Sequence, residues 1–256
     1  MTNVSKPEFE SDGLDRPQRL DQALTARGLC ATRAQARAAI EAGGVSVNGR
    51  IATKPAMRIH ADAALEVTLA HPWASRGGVK LDHALSAFGL EVEGRVCLDV
   101  GASTGGFTDV LLTRKARHVF AVDVGRGQLI SRLREDARVT SIESTDARRL
   151  TRDLITDAPN LIVCDASFIG LEKLIGPALD LATEAADLVA LFKPQFQVGP
   201  DHVGKGGLVT DDDVVNAAAA RFEDWLSDKG WRIAGWTPSP TLGGDGNKER
   251  LCHARR

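Results

Sequence analysis

No apolar run in this 256-residue sequence approaches the ~20 residues of a membrane-spanning helix. Residues Met1 to Pro17 are polar and acidic-tinged, unlike a signal peptide, so a soluble, globular, cytosolic chain is expected. Cysteine is scarce. Cys30, Cys97, Cys164 and Cys252 stand singly, some of them inside expected strands, which argues against a zinc knuckle or a disulfide framework and for buried, reduced thiols. A large net charge is also lacking, with 32 Lys and Arg against 34 Asp and Glu. The charge is uneven, however: Arg19 to Ala70 holds seven basic residues against four acidic ones, and the remainder is net acidic. A basic small part on an acidic large part suggests a polyanion-binding module. With 43% hydrophobic residues, the chain has ample material for one large domain or two small ones.

The organising stretch is Val96-Cys-Leu-Asp-Val-Gly-Ala-Ser-Thr-Gly-Gly-Phe107. Val96 to Val100 reads as a buried parallel strand, and the small, glycine-bearing turn after it leads into a helical pattern from about Thr108. Gly101, Gly105 and Gly106 permit positive φ and close backbone approach, beneath the free N–H groups of a helix N-terminus. The turn has neither the G-x-G-x-x-G of a dinucleotide site nor the Lys-Ser/Thr of a phosphate loop. What remains favours S-adenosylmethionine, although glycine-rich turns of this kind recur throughout α/β proteins.

In chain order, residues 1–18 read as a disordered lead without apolar periodicity. Residues 19–70 form a small α+β unit. Leu20, Leu24 and Leu29 mark a first amphipathic segment, and Thr32 caps a second whose apolar face is Ala36, Ala39 and Ile40. Gly43-Gly44 ends it, Val45 to Val47 is a strand entering an Asn48-Gly49 turn, and Ala64 to Leu69 is the last strand. Arg33 and Arg37 share a helix face while Arg50 and Lys54 follow the turn, giving a basic surface suited to phosphates; on charge alone a solvated face is the alternative. Residues 71–78 are the expected linker and 79–256 the second domain.

In that domain a helix runs through Leu81, Leu85 and Phe88. Strands then follow at His118 to Val122, Arg138 to Ile142, Leu161 to Cys164 and Leu188 to Phe192. This alternation is the pattern of a doubly wound α/β sheet. Asp99, Asp123, Asp165 and Lys193 recur at the carboxyl ends of strands, the edge where such sheets bind ligands, with Asp146 four residues beyond the strand Arg138 to Ile142. Asp211 or Thr210 caps a long helix ending before Gly230, and Trp231 to Thr237 and Leu251 to His253 close the sheet. Glu249 reaches the same cleft if these last two strands pair as a hairpin.

Arg19-Leu-Asp-Gln-Ala-Leu, Ala31-Thr-Arg-Ala-Gln-Ala and Gly44-Val-Ser-Val-Asn-Gly resemble the RNA-binding domain first described in ribosomal small-subunit protein S-four. The resemblance implies structured RNA as partner and Arg19, Arg33, Arg37, Arg50 and Lys54 as its contacts. Lys80, Asp165, Lys193 and Glu249 resemble the Lys-Asp-Lys-Glu tetrad of FtsJ-like ribose 2′-O-methyltransferases. Ser75-Arg-Gly-Gly, Asp99-Val-Gly-Ala-Ser-Thr-Gly-Gly-Phe-Thr, Val122-Asp-Val-Gly-Arg-Gly-Gln-Leu, Asp165-Ala-Ser-Phe-Ile and Leu191-Phe-Lys-Pro-Gln-Phe look like the TlyA family, historically labelled haemolysin.

That family joins the same RNA-binding module to a Rossmann-like methyltransferase sheet. It implies S-adenosylmethionine held by Asp99, Gly101, Ser103, Thr104, Gly105, Gly106, Phe107, Asp123, Val124, Asp146, Ala147 and Asp165. It also implies cytidine in ribosomal RNA as the target. The chain stops seven residues after Glu249, which leans towards large-subunit RNA alone.

Methyl transfer from sulfonium to a ribose hydroxyl requires in-line positioning and removal of a weakly acidic proton. Lys193 is the expected base or hydroxyl orienter, Asp165 orients it, and Lys80 and Glu249 complete the frame. No metal is expected, since there is no phosphoryl charge to neutralise and no His/Cys cluster. An exocyclic-amine methylase would carry Asn/Asp-Pro-Pro-aromatic where Asp165-Ala-Ser-Phe168 stands, and Cys164 lies inside a strand rather than poised as a nucleophile. A non-catalytic RNA-binding assembly factor is the main alternative. A membrane-lytic role lacks the amphipathic or spanning segment it would need.

Overall fold

The computed structural model describes residues 17–69 and 71–256, which divide between Pro72 and Trp73 into two compact units. Residues 1–16 of the lead expected at 1–18 lie outside the described residues. In the smaller unit the elements run β1 (Gln18–Arg19), α1 (Leu20–Ala26), α2 (Arg33–Glu41), β2 (Val45–Val47), β3 (Arg50–Ile51), β4 (Arg58–Ile59) and β5 (Leu65–Val67). β1 pairs with β4, and β2 is the centre of a three-stranded antiparallel sheet with β3 and β5 on either side. Gln18 therefore belongs to the folded unit, one residue earlier than expected.

Leu20, Leu24, Ala36, Ala39 and Ile40 bury one core with Val45 and Val47. Thr32 caps α2, its hydroxyl accepting from Gln35 N at 3.1 Å, while the Gln35 side chain reaches back to accept from Ala31 N at 2.7 Å. Leu29 departs from expectation: α1 ends at Ala26, and Leu29 stands beyond it with its side chain exposed.

The larger unit runs α3 (Gly77–Ala87), β6 (Val96–Val100), α4 (Gly106–Thr113), β7 (His118–Val122), α5 (Ser131–Arg134), β8 (Val139–Ile142), β9 (Leu161–Cys164), α6 (Leu171–Leu174), α7 (Gly176–Leu181), β10 (Asp187–Phe192), α8 (Pro194–Gln197), α9 (Asp212–Asp228), β11 (Arg232–Pro238) and β12 (Arg250–Arg255). One seven-stranded sheet has the order β11-β12-β10-β9-β6-β7-β8. It is parallel from β10 to β8 and antiparallel where β12 joins β10 and where β11 joins β12. The chain winds outward from β6 to β8, returns to β9 beside β6 and continues the other way. Its switch point thus lies between β6 and β9, where open α/β sheets take ligands.

Alternation decides what each strand residue meets. Val96, Leu98 and Val100 face the layer holding α6, α7 and α9, whereas Cys97 faces the layer of α3 and α4. Asp211 caps α9 by accepting from Asp213 N and Val214 N, and Gly230 follows its end at φ +77°. Two expectations shift. α4 begins at Gly106 rather than near Thr108, bringing Gly106 and Phe107 into its first turn. Residues 73–78 pack into the larger unit instead of linking: Ala74 is buried, and a Cβ on Gly78 would stand 2.4 Å from the Trp73 side chain.

Candidate functional site

The turn after β6 is shaped by close approach. Gly101 has φ +84°, and a Cβ there would meet the Asp165 carbonyl oxygen at 2.7 Å, so the turns after β6 and β9 touch only because residue 101 has no side chain. A hollow of about 420 Å³ opens over this contact. Val100, Val122, Ala147, Ile169 and Leu174 give it an apolar floor, and Ser103, Asp123, Asp146 and Asp165 a polar rim, with Val124 also lining it. A second hollow of about 200 Å³ shares Gly101, Ser103, Asp165 and Ser167 with the first and adds Ser75, Gly77, Thr104, Gly106, Phe107 and Lys193.

Most expected cofactor residues therefore line this pair of hollows; Asp99 and Gly105 do not. Asp99 is the penultimate residue of β6, and the pleat turns it inward under α4, where it is fully buried and its Oδ2 accepts from Thr108 Oγ1 at 2.6 Å. Desolvation pushes its carboxyl up to about 7, the Thr108 bond opposing this and the Asp165 and Asp123 charges adding to it. Gly105 is favoured by its backbone, at φ +100°, and a Cβ there would also press on the leucine methyls, 2.3 Å from Leu133 Cδ1 and 2.8 Å from Leu129 Cδ1. Asp123 spans the rim, accepting from Ser103 N at 2.8 Å and Gly125 N at 2.7 Å. Asp146 is held by the Arg148 guanidinium and backbone N–H, which bring its carboxyl down to about 2.

The four expected catalytic residues form two ion pairs. Lys193 follows β10, its Nζ 2.6 Å from Asp165 Oδ1 and donating to Ser167 Oγ at 2.8 Å. Lys80, on α3, donates to Glu249 Oε2. β10 and β12 pair as far as Phe192 opposite Arg250, so Lys193 and Glu249 are the next residues outward on adjacent strands. The β11–β12 pairing thus supplies the hairpin on which Glu249's position depended. Gly77, one turn before Lys80, comes close to the other pair: a Cβ there would lie 3.2 Å from Asp165 Oδ2. Both lysines and Glu249 are less than a tenth exposed, so these charges act with little screening.

Sequence reasoning left other participants without a role. Ser167 receives the Lys193 hydrogen bond, and Phe168 stands 91% exposed at φ +69° on the rim. Both lie within Asp165-Ala-Ser-Phe-Ile, so their adjacency to Asp165 was the available signal. Glu143 accepts from the backbone N–H groups of Gly127, Gln128 and Leu129, fixing the loop that brings Gln128 within 3.1 Å of Ser103 Oγ. Nothing local in the sequence marks that long-range clamp.

In the smaller unit the expected RNA contacts divide. Arg19 and Arg33 converge on the buried Asp21 carboxylate, both at 2.9 Å, and Arg37 lies 3.8 Å from Glu41. Arg50 and Lys54 are exposed. Among the described residues no helix is long and apolar enough to cross a membrane.

Residues 73–256 match the family model for FtsJ-like methyltransferases, and residues 18–65 match that for the S4 domain. The 16S/23S rRNA (cytidine-2′-O)-methyltransferase TlyA of Mycobacterium tuberculosis is 44% identical over 242 residues, covering 94% of this chain and 90% of that protein. Hemolysin A of Brachyspira hyodysenteriae is 39% identical over 240 residues, covering 92% of this chain and 98% of its own. A solved structure from Streptococcus thermophilus, also carrying the hemolysin name, superposes with TM-score 0.75 at 36% identity over 94% of this chain and 88% of that one.

Proposed function

The chain belongs to the FtsJ-like methyltransferase family and carries an S4 domain, and on that premise we propose that it methylates the ribose 2′-hydroxyl of a cytidine in ribosomal RNA, in the cytoplasm, using S-adenosylmethionine. The Lys193–Asp165 pair lining the two hollows, with the Lys80–Glu249 pair at the adjacent strand, carries this reading.

The residues present fit the cofactor. The joined hollows lie within the roughly 300–1,000 Å³ of small-molecule sites, with an apolar floor for a purine and carboxylates for hydroxyl and ammonium groups. Asp123 and Val124 would meet the ribose and the base. Asp146 and Ala147 would border the base, and Gly101, Ser103, Thr104, Gly106 and Phe107 the amino-acid end. Each Asp123 oxygen keeps a lone pair beyond its backbone bond for a ribose hydroxyl. The cofactor supplies an electrophilic methyl group on a sulfonium.

The remaining chemistry belongs to the side chains. Lys193 borders the hollow: in its neutral form its Nζ takes the 2′-hydroxyl proton as the oxygen becomes a nucleophile, and as the ammonium of the Asp165 pair it instead donates to that oxygen and aligns it. Asp165 and Ser167 hold that amine in one orientation from two sides. Lys80 anchors Glu249 at the next strand, so the reacting hydroxyl meets a fixed frame rather than mobile chains. The smaller unit supplies the phosphate contacts through the exposed Arg37, Arg50 and Lys54, and through Arg19 and Arg33, whose guanidiniums are shared with Asp21.

Transfer of labelled methyl from S-adenosylmethionine to isolated ribosomal subunits, with nuclease mapping of the labelled nucleotide, tests this. Wild type is expected to label a cytidine ribose, and Lys193→Ala to lose about 10²–10⁴-fold in single-turnover rate while retaining cofactor affinity. Equal labelling by both would remove Lys193 from the chemistry. No labelling of either subunit by wild type would favour an RNA-binding assembly factor. Assaying the subunits separately decides between large-subunit RNA alone and both.

A further inference from the structure

We propose that Asn247 is a positioning residue for the transfer step, bracing the chain segments that carry Lys193 and Glu249; the inference rests on the ribose methylation proposed above. Asn247 is 1% exposed, although its neighbours Gly246 and Lys248 are exposed. Its side chain donates through Nδ2 to Gly207 O at 2.8 Å and accepts through Oδ1 from Val209 N at 2.9 Å. A carboxamide here substitutes for a strand partner, satisfying one carbonyl and one N–H of a segment that pairs with no strand.

Each side of this clip leads to the ion pairs. On one side the Asn247 carbonyl accepts from Gly243 N at 2.9 Å, closing a turn that rests on Glu249: a Cβ on Gly243 would stand 2.7 Å from Glu249 Oε1. Glu249 is two residues further on, its carbonyl accepting from Ser239 N at 2.9 Å. On the other side, residues 199–209 follow α8, which starts directly after Lys193 and whose Phe196 N donates to Lys193 O at 3.0 Å. Gly199, Gly206 and Gly207 have φ of +85°, +77° and +82°, so the segment's covalent chain has wide freedom and depends on contacts for its shape.

The β10–β12 ladder therefore joins the strand ends holding Lys193 and Glu249, and Asn247 adds a second tie between the loop before Glu249 and the segment that follows Lys193 and α8. The braced segment also borders a hollow of about 610 Å³, where Gly199, Pro200 and Val203 meet Phe168, Gln195 and Phe196. No bond connects Asn247 to the Gly101–Phe107 turn. Loss of the brace should accordingly disturb the transfer step and spare cofactor binding.

Asn247→Ala removes both side-chain bonds. Asn247→Asp keeps the acceptor for Val209 N but sets an oxygen against the Gly207 carbonyl. Both variants are expected to bind S-adenosylmethionine within about threefold of wild type by calorimetry and to slow single-turnover transfer to ribosomal RNA by about 10–100-fold, the scale of a misplaced catalytic group. Hydrogen exchange should accelerate in residues 199–209 and 239–249 together and stay unchanged in 101–107.

Cofactor affinity falling in step with the rate, transfer within about threefold of wild type, or unchanged exchange in 199–209 would each overturn the proposal. Should the alanine variant not fold, the aspartate variant decides by the same readings. Wild type failing to methylate any subunit would instead remove the proposed activity, and the exchange measurement still decides whether the brace exists.

Discussion

Asp99 illustrates how one pleat step changes a carboxyl's work. Its place near the end of β6 suggested a cofactor contact, but alternation sends it beneath α4 to Thr108. Because its folded carboxyl holds a proton up to about pH 7, folding takes up a proton between the ordinary carboxylate range and that value. Its stabilising contribution is complete at low pH and is lost as pH rises through this window. Asp99→Asn cannot titrate, and its amide oxygen still accepts from Thr108. Between about pH 4 and pH 7 the wild-type melting temperature is expected to fall relative to that of the variant; parallel curves would show that Asp99 does not titrate there. The places of Lys193 and Asp165, by contrast, were legible, because a position just after a strand already limits where a side chain reaches.

At the scale of elements, α1 and α2 of the smaller unit are tied by charge as well as by their apolar faces. Arg19 before α1 and Arg33 at the start of α2 share the fully buried Asp21 carboxylate, and the hydrogen bond from Arg19 is the leading cause holding that carboxyl well below its ordinary range. A depressed folded pKa contributes stability above the unfolded value and loses it as pH falls below that range. Asp21→Ala is expected to destabilise the smaller unit by about 2 kcal/mol, less than a wholly buried pair because both guanidiniums stay partly exposed. Faster amide exchange across Leu20–Glu41 in the full chain would register the loss, and unchanged protection there would refute it. The caps at Thr32 and Asp211 were readable because a cap is a local event. The fate of Arg33 was not, because its partner Asp21 lies on the other helix and is chosen by how the two helices pack.

For the whole molecule, two units of different charge divide the work expected of it. Replacing Arg50 and Lys54 together by glutamine should weaken binding to ribosomal RNA and lessen the log–log salt slope by about 1.4, near 0.7 for each lost phosphate contact, with cofactor affinity unchanged. A slope unaltered in a salt titration would place the phosphate contacts elsewhere. Residue order alone carried the main strands of the larger sheet, the turn after β6, and the carboxyl-edge positions of Asp165 and Lys193, whereas Glu249 came to that edge through the pairing of β12 with β11 and β10. Periodicity, caps and glycine turns are set by neighbours within a few residues. Folding alone settled that Asp99 meets Thr108 beneath α4, that Gly105 lies against two leucines, that Arg33 reaches Asp21, and that Asn247 joins two loops. Each of those outcomes depends on a group brought near by folding from elsewhere in the chain, and hydrogen bonding and burial act on that proximity rather than on separation in sequence.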